Sequence, residues 1–550
     1  MSVSAGLTSG WMQPANSRFK WWLPGLLALV VLALMTGLPL TALVVSATDV
    51  APQDVLTNPY FRRVIWFSFY QALLSAVFSV GLAIPVAQAL SREQKFPFRK
   101  LLLNLYSLSL VIPTIVAIFG VVAVYGRTGW LNDITTALGF NAFSIYGLNG
   151  ILIAHIFFNM PLATRVLLQS LDNIPNEQWR LSTQLRMSGL SQFRFIEWPA
   201  MRSQLLGVFM LIFTLCFTSF TIVMTLGGGP RATTIEVAIY QALRFDFDLN
   251  VAVSLAIVQL VFCAVLLFAS AIFKHEAPLG FSIGNPGTLF RPASGYRWLN
   301  ALTIGVATLF VLLPLAGLLI SAINPTTTKV LLHANTIRAS INTVIIALTA
   351  SSLSVVLGVG LLISSRHMRI RLGQHRLGQW IQHAGNIILV MPPVVLGTGL
   401  FLLLRNVADV FSIALGLAIV INSLMALPFV LRILDGPLMQ AAEQHDRLIQ
   451  SLGITGWSRW RLLDWPLVRK PLGFAMAISA TLAAGDLSAI ALFGSERALT
   501  LPLLLFQRMG SYRLHEAAVT AALLLLVCLM LFLLLQAATN VAERHQHANA

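Results

Sequence analysis

The chain has 550 residues, of which 57% are hydrophobic and only 10% charged. A domain surrounded by water cannot keep that much apolar surface from solvent, so a soluble globular protein is excluded and lipid is the expected medium. The net charge of +16 does not imply nucleic acid, because the basic residues are spread along loops between apolar runs. No zinc finger, basic helix arm or aromatic RNA-binding strand accompanies them.

A helix needs about 20 apolar residues to cross the hydrocarbon core. The first such run, Trp21 to about Val45, follows Arg18 and Lys20. It exceeds the roughly 7–15 residues of a signal-peptide core, and a similar run near Trp298–Ser321 opens the second half. It is therefore read as a retained span. The remaining spans of the first half are expected near 64–90, 101–125, 148–170, 203–226 and 250–273. Those of the second half are expected near 298–321, 341–364, 381–404, 411–433, 471–493 and 517–537. The fold class is thus all-α integral membrane, with about 12 transmembrane helices. Cys216, Cys263 and Cys528 each lie inside an apolar run, unpaired in spacing. They read as small buried residues rather than as a disulfide framework or metal site.

Lys and Arg collect on the cytoplasmic side of a membrane protein. One set of loops carries Arg92, Arg99 and Lys100, then Arg180, Arg186, Arg194 and Arg202. The same set carries Arg366, Arg369, Arg371 and Arg376, then Arg447, Arg459, Arg461, Arg469 and Lys470. Counted with the termini, this side holds roughly 25 of the 36 basic residues, which places both termini in the cytoplasm.

An internal repeat is the strongest signal. The segment RLSTQLRMSGLSQFRFIEWP begins at Arg180, and RLIQSLGITGWSRWRLLDWP begins at Arg447. The same register sets Pro161 on Pro428, Arg165 on Arg432 and Gly227 on Gly494. Six spans per copy is an even number, so the copies face the same way, related by an axis along the membrane normal. The expected units are 1–273 and 298–550, joined by a Gly/Pro-containing cytoplasmic linker at 274–297.

The repeated segment is also the longest basic loop of each half, and it is semi-apolar. Leu181, Leu185, Leu190, Phe193 and Phe195 in one copy, and Leu448, Leu452, Trp457, Trp460 and Leu462 in the other, suggest short helices whose apolar face seeks a partner groove. Gly189 and Gly456 are expected to make a turn at positive φ. Ser188 and Thr455 precede them, Ser191 and Ser458 are expected to cap the next helix, and Pro199 and Pro466 return the chain to the membrane. A generic amphipathic loop at the membrane surface is the plainer alternative, but duplication in matching places favours two equivalent partner sites.

This pattern resembles the cytoplasmic coupling loop of ABC importer permeases, in which an EAA triplet and a Gly are followed thirteen residues later by Leu-Pro. Gly453 and Pro466 keep that spacing, whereas Arg186 stands at the matching Gly position of the first copy. The triplet is replaced by Arg180-Leu181-Ser182 and Arg447-Leu448-Ile449. Within the fused two-unit branch, the chain resembles the thiamine importer permeases in AHIFFNMPLATRVLLQSLDNIPNEQ (154–178) and LGGGPRATTIEVAIYQAL (226–243). SLGITGWSR (451–459) and FGSERALTLPLLLFQRMGSYR (493–513) extend that resemblance. The fused iron(III) importer permeases share the architecture and are the alternative.

The resemblance implies two tandem six-helix type I permease units in a bacterial inner membrane. It implies two copies of a separate ABC ATPase beneath the loops, a periplasmic binding protein above, and thiamine as cargo. It places the ATPase-coupling residues at Arg180, Leu185, Arg186, Ser188, Gly189, Pro199, Arg447, Leu452, Gly453, Thr455, Gly456 and Pro466. No GxxxxGK[ST] P-loop occurs, and LGGGPRATT lacks its lysine. ATP is therefore expected on the partner, and this chain is expected to have no catalytic residue, metal or cofactor of its own.

Candidates for the substrate path are fewer. Asp486 falls inside the eleventh apolar run, where a carboxylate is costly and normally faces protein or water. It reads either as a partner for a cationic substrate or as a structural partner for Arg432 or a helix end. Phe213, Phe217 and Phe220 recur at helical spacing; they suit a path for aromatic rings, though packing is the more ordinary role. A proton- or sodium-coupled carrier is the competing class. It would not need duplicated docking loops and would be expected to show more intramembrane carboxylates or broken helices.

Overall fold

A computed structural model describes residues 15–48, 57–94, 96–108, 111–272, 297–451, 458, 460–496 and 498–547. The expected linker 274–297 lies outside them except for Arg297. Among the described residues the chain is helical throughout, and eleven helices are long and apolar enough to cross a membrane.

The first half contains α1 (Ala15–Leu32), α2 (Leu38–Thr48), α3 (Pro59–Arg92), α4 (Arg99–Leu108), α5 (Thr114–Tyr125), α6 (Trp130–Ala137) and α7 (Leu148–Asp172). Then come α8 (Asn176–Gln184), α9 (Gly189–Gln192), α10 (Trp198–Phe217), α11 (Phe220–Leu226), α12 (Ile235–Arg244) and α13 (Leu249–Ile272). The second half contains α14 (Arg297–Ala322), α15 (Thr327–Leu331), α16 (Ala334–Arg366), α17 (His375–Ala384), α18 (Pro393–Leu404) and α19 (Ala414–Ser451). It ends with α20 (Trp465–Gly485), α21 (Ser488–Phe493), α22 (Leu501–Gly510) and α23 (Leu514–His547).

The expected span 101–125 is divided at Pro113, and 381–404 is divided before Pro393. Proline lacks the N–H that would continue the helix and disfavours helical backbone in the residue before it. Both breaks fall at the same place in the repeat, in VIPT and VMPP. The second leaves α18 too short to count among the eleven.

Helices α3 and α16 are each packed against the fourth span of their own half, α7 or α19. Their buried stripes are built from small residues: Ser68, Ala72, Ser75, Ala76, Ser79 and Ala83 on α3, and Ala339, Thr343, Ala347, Ala350, Ser351 and Ser354 on α16. Lipid tails are as apolar as leucine, so close backbone approach, rather than the hydrophobic effect, holds such helices together. Large apolar side chains such as Leu27, Val265 and Leu534 instead point outward.

The opening span of each half is seated in the other half. Helix α1 packs along α16 and α2 against α18, while α14 packs against α3 and α5. The Gly25 N–H donates to Ser364 Oγ at 3.0 Å. A Cβ at Gly120 would collide with the carbonyl oxygen of Pro314, and one at Gly399 with that of Pro39. These two contacts are repeat mates, so the exchange is symmetric.

Candidate functional site: duplicated loops and broken helices

The first repeated loop is a pair of short helices. In α8, Trp179 and Ser182 point inward and are buried. The helix closes with Arg186 N–H on Thr183 O at 3.1 Å and Met187 N–H on Ser182 O at 3.0 Å. That closure needs a left-handed residue just past the helix end, usually glycine. Arg186 fills the position at φ 50°, and it is the residue aligned with Gly453. The turn expected at Gly189 is therefore made three residues earlier, and Gly189 has ordinary helical backbone as the first residue of α9. The expected capping role of Ser191 is also corrected, because Ser188 is the cap and its Oγ accepts from Ser191 N–H at 3.3 Å.

Arg180, Leu181, Leu185, Leu190 and Phe195 all lie on the exposed surface of this loop. Pro199 is the second residue of α10 and Pro466 that of α20, each following directly on a π-helical turn. In the second copy Arg447 lies within α19, while Leu452, Gly453, Thr455 and Gly456 lie outside the described residues.

Each repeated segment is tied to the end of α3 or α16 by a buried ion pair that the sequence reading missed. Arg92, the last residue of α3, donates through Nε to Glu197 Oε1 at 2.7 Å and through Nη2 to Oε2 at 2.9 Å. Its Nη2 also reaches Gly189 O at 3.1 Å, and Gln88 Nε2 donates to Glu197 Oε2 at 2.6 Å. In the second half Arg366, the last residue of α16, grips Asp464 through Nη1 and Nη2, both at 3.0 Å. Glu197 and Asp464 are fully buried, and each ends a π-helical turn, Phe193–Glu197 or Trp460–Asp464. The readable signal was an acid directly before Trp-Pro in both copies.

The fifth span of each half is interrupted in mid-course. Helix α10 stops at Phe217 and α11 begins at Phe220; α20 stops at Gly485 and α21 begins at Ser488. In the repeat register these breaks coincide. Asp486 sits at the second break, accepting from Ser488 N–H at 3.1 Å and Ala489 N–H at 3.0 Å. Its carboxylate thus caps the start of α21. Its side chain also lines a narrow cavity with Thr343, Asn422, Thr500 and Pro502.

Phe213 and Phe217 stack on one another and pack against Phe69, while Phe217 also meets Phe262. Phe220 packs edge-on against Tyr240. All three expected path phenylalanines are buried among other aromatic rings. The cavity beside Asp486 does not include them.

The family model described as "Binding-protein-dependent transport system inner membrane component" matches residues 79–277. The thiamine transport system permease protein of Salmonella typhimurium is 43% identical over 518 residues, covering 94% of this chain and 96% of the relative. That of Escherichia coli K12 is 44% identical, covering 88% and 91%, and that of Brucella abortus strain 2308 is 42% identical, covering 93% and 94%. The chain belongs to this family of binding-protein-dependent permeases.

The family model covers most of the first half, from residue 79 onward, and the relatives extend the likeness across both halves. In this permease Arg92 joins the end of α3 to Gly189 and Glu197 of the first loop, and Arg366 joins the end of α16 to Asp464 just before α20.

Proposed function

We propose that this permease forms the path by which thiamine enters across the bacterial inner membrane. Two copies of a separate ATPase dock on the two loops, a periplasmic binding protein delivers the cargo, and both termini lie in the cytoplasm. The observation that carries the substrate is the likeness, over nearly the whole chain, to permeases named for thiamine transport. The exposed leucines of α8 and α9 support the docking role, because an apolar face beside Arg180 and Arg186 suits a protein groove.

The mechanism is a two-state equilibrium. ATP closing the ATPase pair must favour one arrangement of the spans over the other, or nothing moves. The Arg92–Glu197 and Arg366–Asp464 pairs transmit that preference because they are buried and held by two hydrogen bonds each. The interrupted fifth spans are places where a helix can change direction, as in other transporters whose cargo passes discontinuous helices. ATP is consumed by the partner.

Reconstitution with the ATPase and the binding protein tests the reading. Thiamine is expected to stimulate hydrolysis and to accumulate inside vesicles. Stimulation by iron(III) alone would replace the substrate and leave the architecture in place.

A further inference from the structure

The break in the fifth span of the second half borders a cavity lined by Ile346, Asn422, Ala483, Ala484, Asp486 and Thr500, among others. The repeat gives these residues counterparts in the first half. Asn58 and His333 cap α3 and α16 alike, each accepting from an N–H two residues on. Ser68 Oγ accepts from Ile235 N–H at 3.0 Å, and Thr343 Oγ1 accepts from Leu501 N–H at 2.9 Å. Thr343 thus corresponds to Ser68, and Ile346 to Gln71. The register that sets Pro161 on Pro428 and Gly227 on Gly494 pairs Asn422 with His155 and Ala483 with Cys216. It also pairs Ala484 with Phe217 and Asp486 with Ser219.

These counterparts tie the first break down. The end of α10 leaves the Cys216 carbonyl without its helical partner, and Gln71 Nε2 donates to it at 2.9 Å. Asn159 Nδ2 reaches Cys216 Sγ at 3.2 Å, and His155 Nδ1 shares a hydrogen bond with Ser75 Oγ at 2.8 Å. Phe217 is buried against Phe69. In the second half Ile346 has no N–H in its side chain to offer Ala483, an alanine stands in place of Phe217, and an aspartate in place of Ser219. One break is therefore packed and hydrogen-bonded, while the other borders a cavity with a carboxylate on its wall.

Asp486 is only partly buried. Backbone N–H groups of Ser488 and Ala489 donate to it, and the side chains of Ser488 and Asn422 lie beside it. These neighbours are neutral, and no basic side chain among the described residues pairs with it. A carboxylate accepts and cannot donate, so this wall favours a positively polarised N–H and rejects a lone pair. Thr500, only 3% exposed, lines the same cavity, and its hydroxyl has no partner among the described residues. A buried hydroxyl left unpaired is costly, and a second N–H would satisfy it. We propose that the second break alone carries a cargo subsite, in which the Asp486 carboxylate and the Thr500 hydroxyl accept the N–H bonds of an amino group on a flat, protonatable heterocycle. Ile346, Ile490 and Pro502 supply apolar lining beside it. The pyrimidine of thiamine bears such an amino group; that identification rests on the thiamine reading, whereas the demand for a donor does not.

The test has two arms. In the first, Ala483→Cys in the complete transporter gives the cavity a thiol, where the first half already has Cys216. Methyl methanethiosulfonate is applied, and mass spectrometry follows the rate of modification at that residue. The aminopyrimidine 4-amino-2-methylpyrimidine is expected to slow modification at least fivefold. Its analogue without the amino group, 2-methylpyrimidine, is expected to have no effect. Asp486→Asn is expected to abolish the protection; asparagine still caps α21, so this change removes the charge and keeps the helix end. Equal effects of the two pyrimidines, protection that survives Asp486→Asn, or a thiol that the reagent never reaches would each overturn the subsite. In the second arm, proteoliposomes are supplied with saturating thiamine-loaded binding protein, and Asp486→Asn is expected to lower thiamine uptake at least tenfold. Uptake within twofold of the unaltered protein would overturn the subsite while leaving thiamine as cargo. If the unaltered transporter takes up no thiamine, the cargo reading fails and the protection arm decides the subsite by itself.

Discussion

Glu197 and Asp464 are each enclosed with an arginine that would otherwise be stranded. A buried pair gains little over an apolar replacement, but removing one member strands a charge and costs about 3–5 kcal/mol. Glu197→Gln and Asp464→Asn are therefore expected to lower the thermal midpoint of the purified permease. A thiol-reactive dye reports it, because Cys216, Cys263 and Cys528 are all buried until the chain unfolds. The same variants are expected to retain ATPase binding but lose the link between hydrolysis and uptake. Arg186 poses the opposite case. A non-glycine residue in left-handed backbone costs about 1–2 kcal/mol, so Arg186→Gly is expected to raise the midpoint. Its repeat mate Gly453 has no side chain to strain, and Gly453→Val is expected to uncouple hydrolysis from uptake; normal thiamine-stimulated hydrolysis with normal uptake would refute that role. The resemblance to the permease loop signature singled out Arg186 and Gly453. The ion pairs were not legible in the same way, because their members lie 105 and 98 residues apart and nothing local announces the contact.

Among the elements, the broken third spans were within reach of the sequence. Pro113 and Pro392-Pro393 sit inside otherwise apolar runs, and proline interrupts a helix for reasons of covalent geometry. Hydropathy averages over such residues, so it reported length and missed the interruption. The fifth-span breaks were less readable, since Thr218-Ser219 shows no proline and Asp486 alone was visible. Glycines at helix crossings were legible as residues but not as contacts. Gly120 and Gly399 each face a carbonyl of an opening span from the other half. Adding a methyl there forces the helices apart, an overpacking cost of typically 1–3 kcal/mol. Gly120→Ala and Gly399→Ala are expected to lower the dye-reported midpoint, whereas Gly416→Ala, where a Cβ meets open space, is expected to leave it within error.

At the scale of the whole molecule, the two halves are interlocked. The repeat register predicted two similar units, and the relatives match nearly the full chain, but no sequence pattern says which half a first span will lie against. That choice is made by packing between residues hundreds of positions apart. If the chain is expressed as two pieces divided between residues 274 and 296, the pieces are expected to co-purify in mild detergent, each holding the other's opening span. Separate elution of the pieces would contradict the exchange.

The exchanged spans also set a schedule for synthesis. Gly25 finds its partner Ser364 only after 339 further residues have been made, which at about 5–20 residues per second takes some tens of seconds. During that interval α1 waits in the bilayer with its future contact face turned to lipid. Membrane proteases and insertion chaperones would meet the nascent permease at this stage, and a ribosome stalled before α16 would leave behind a chain whose first span has no seat.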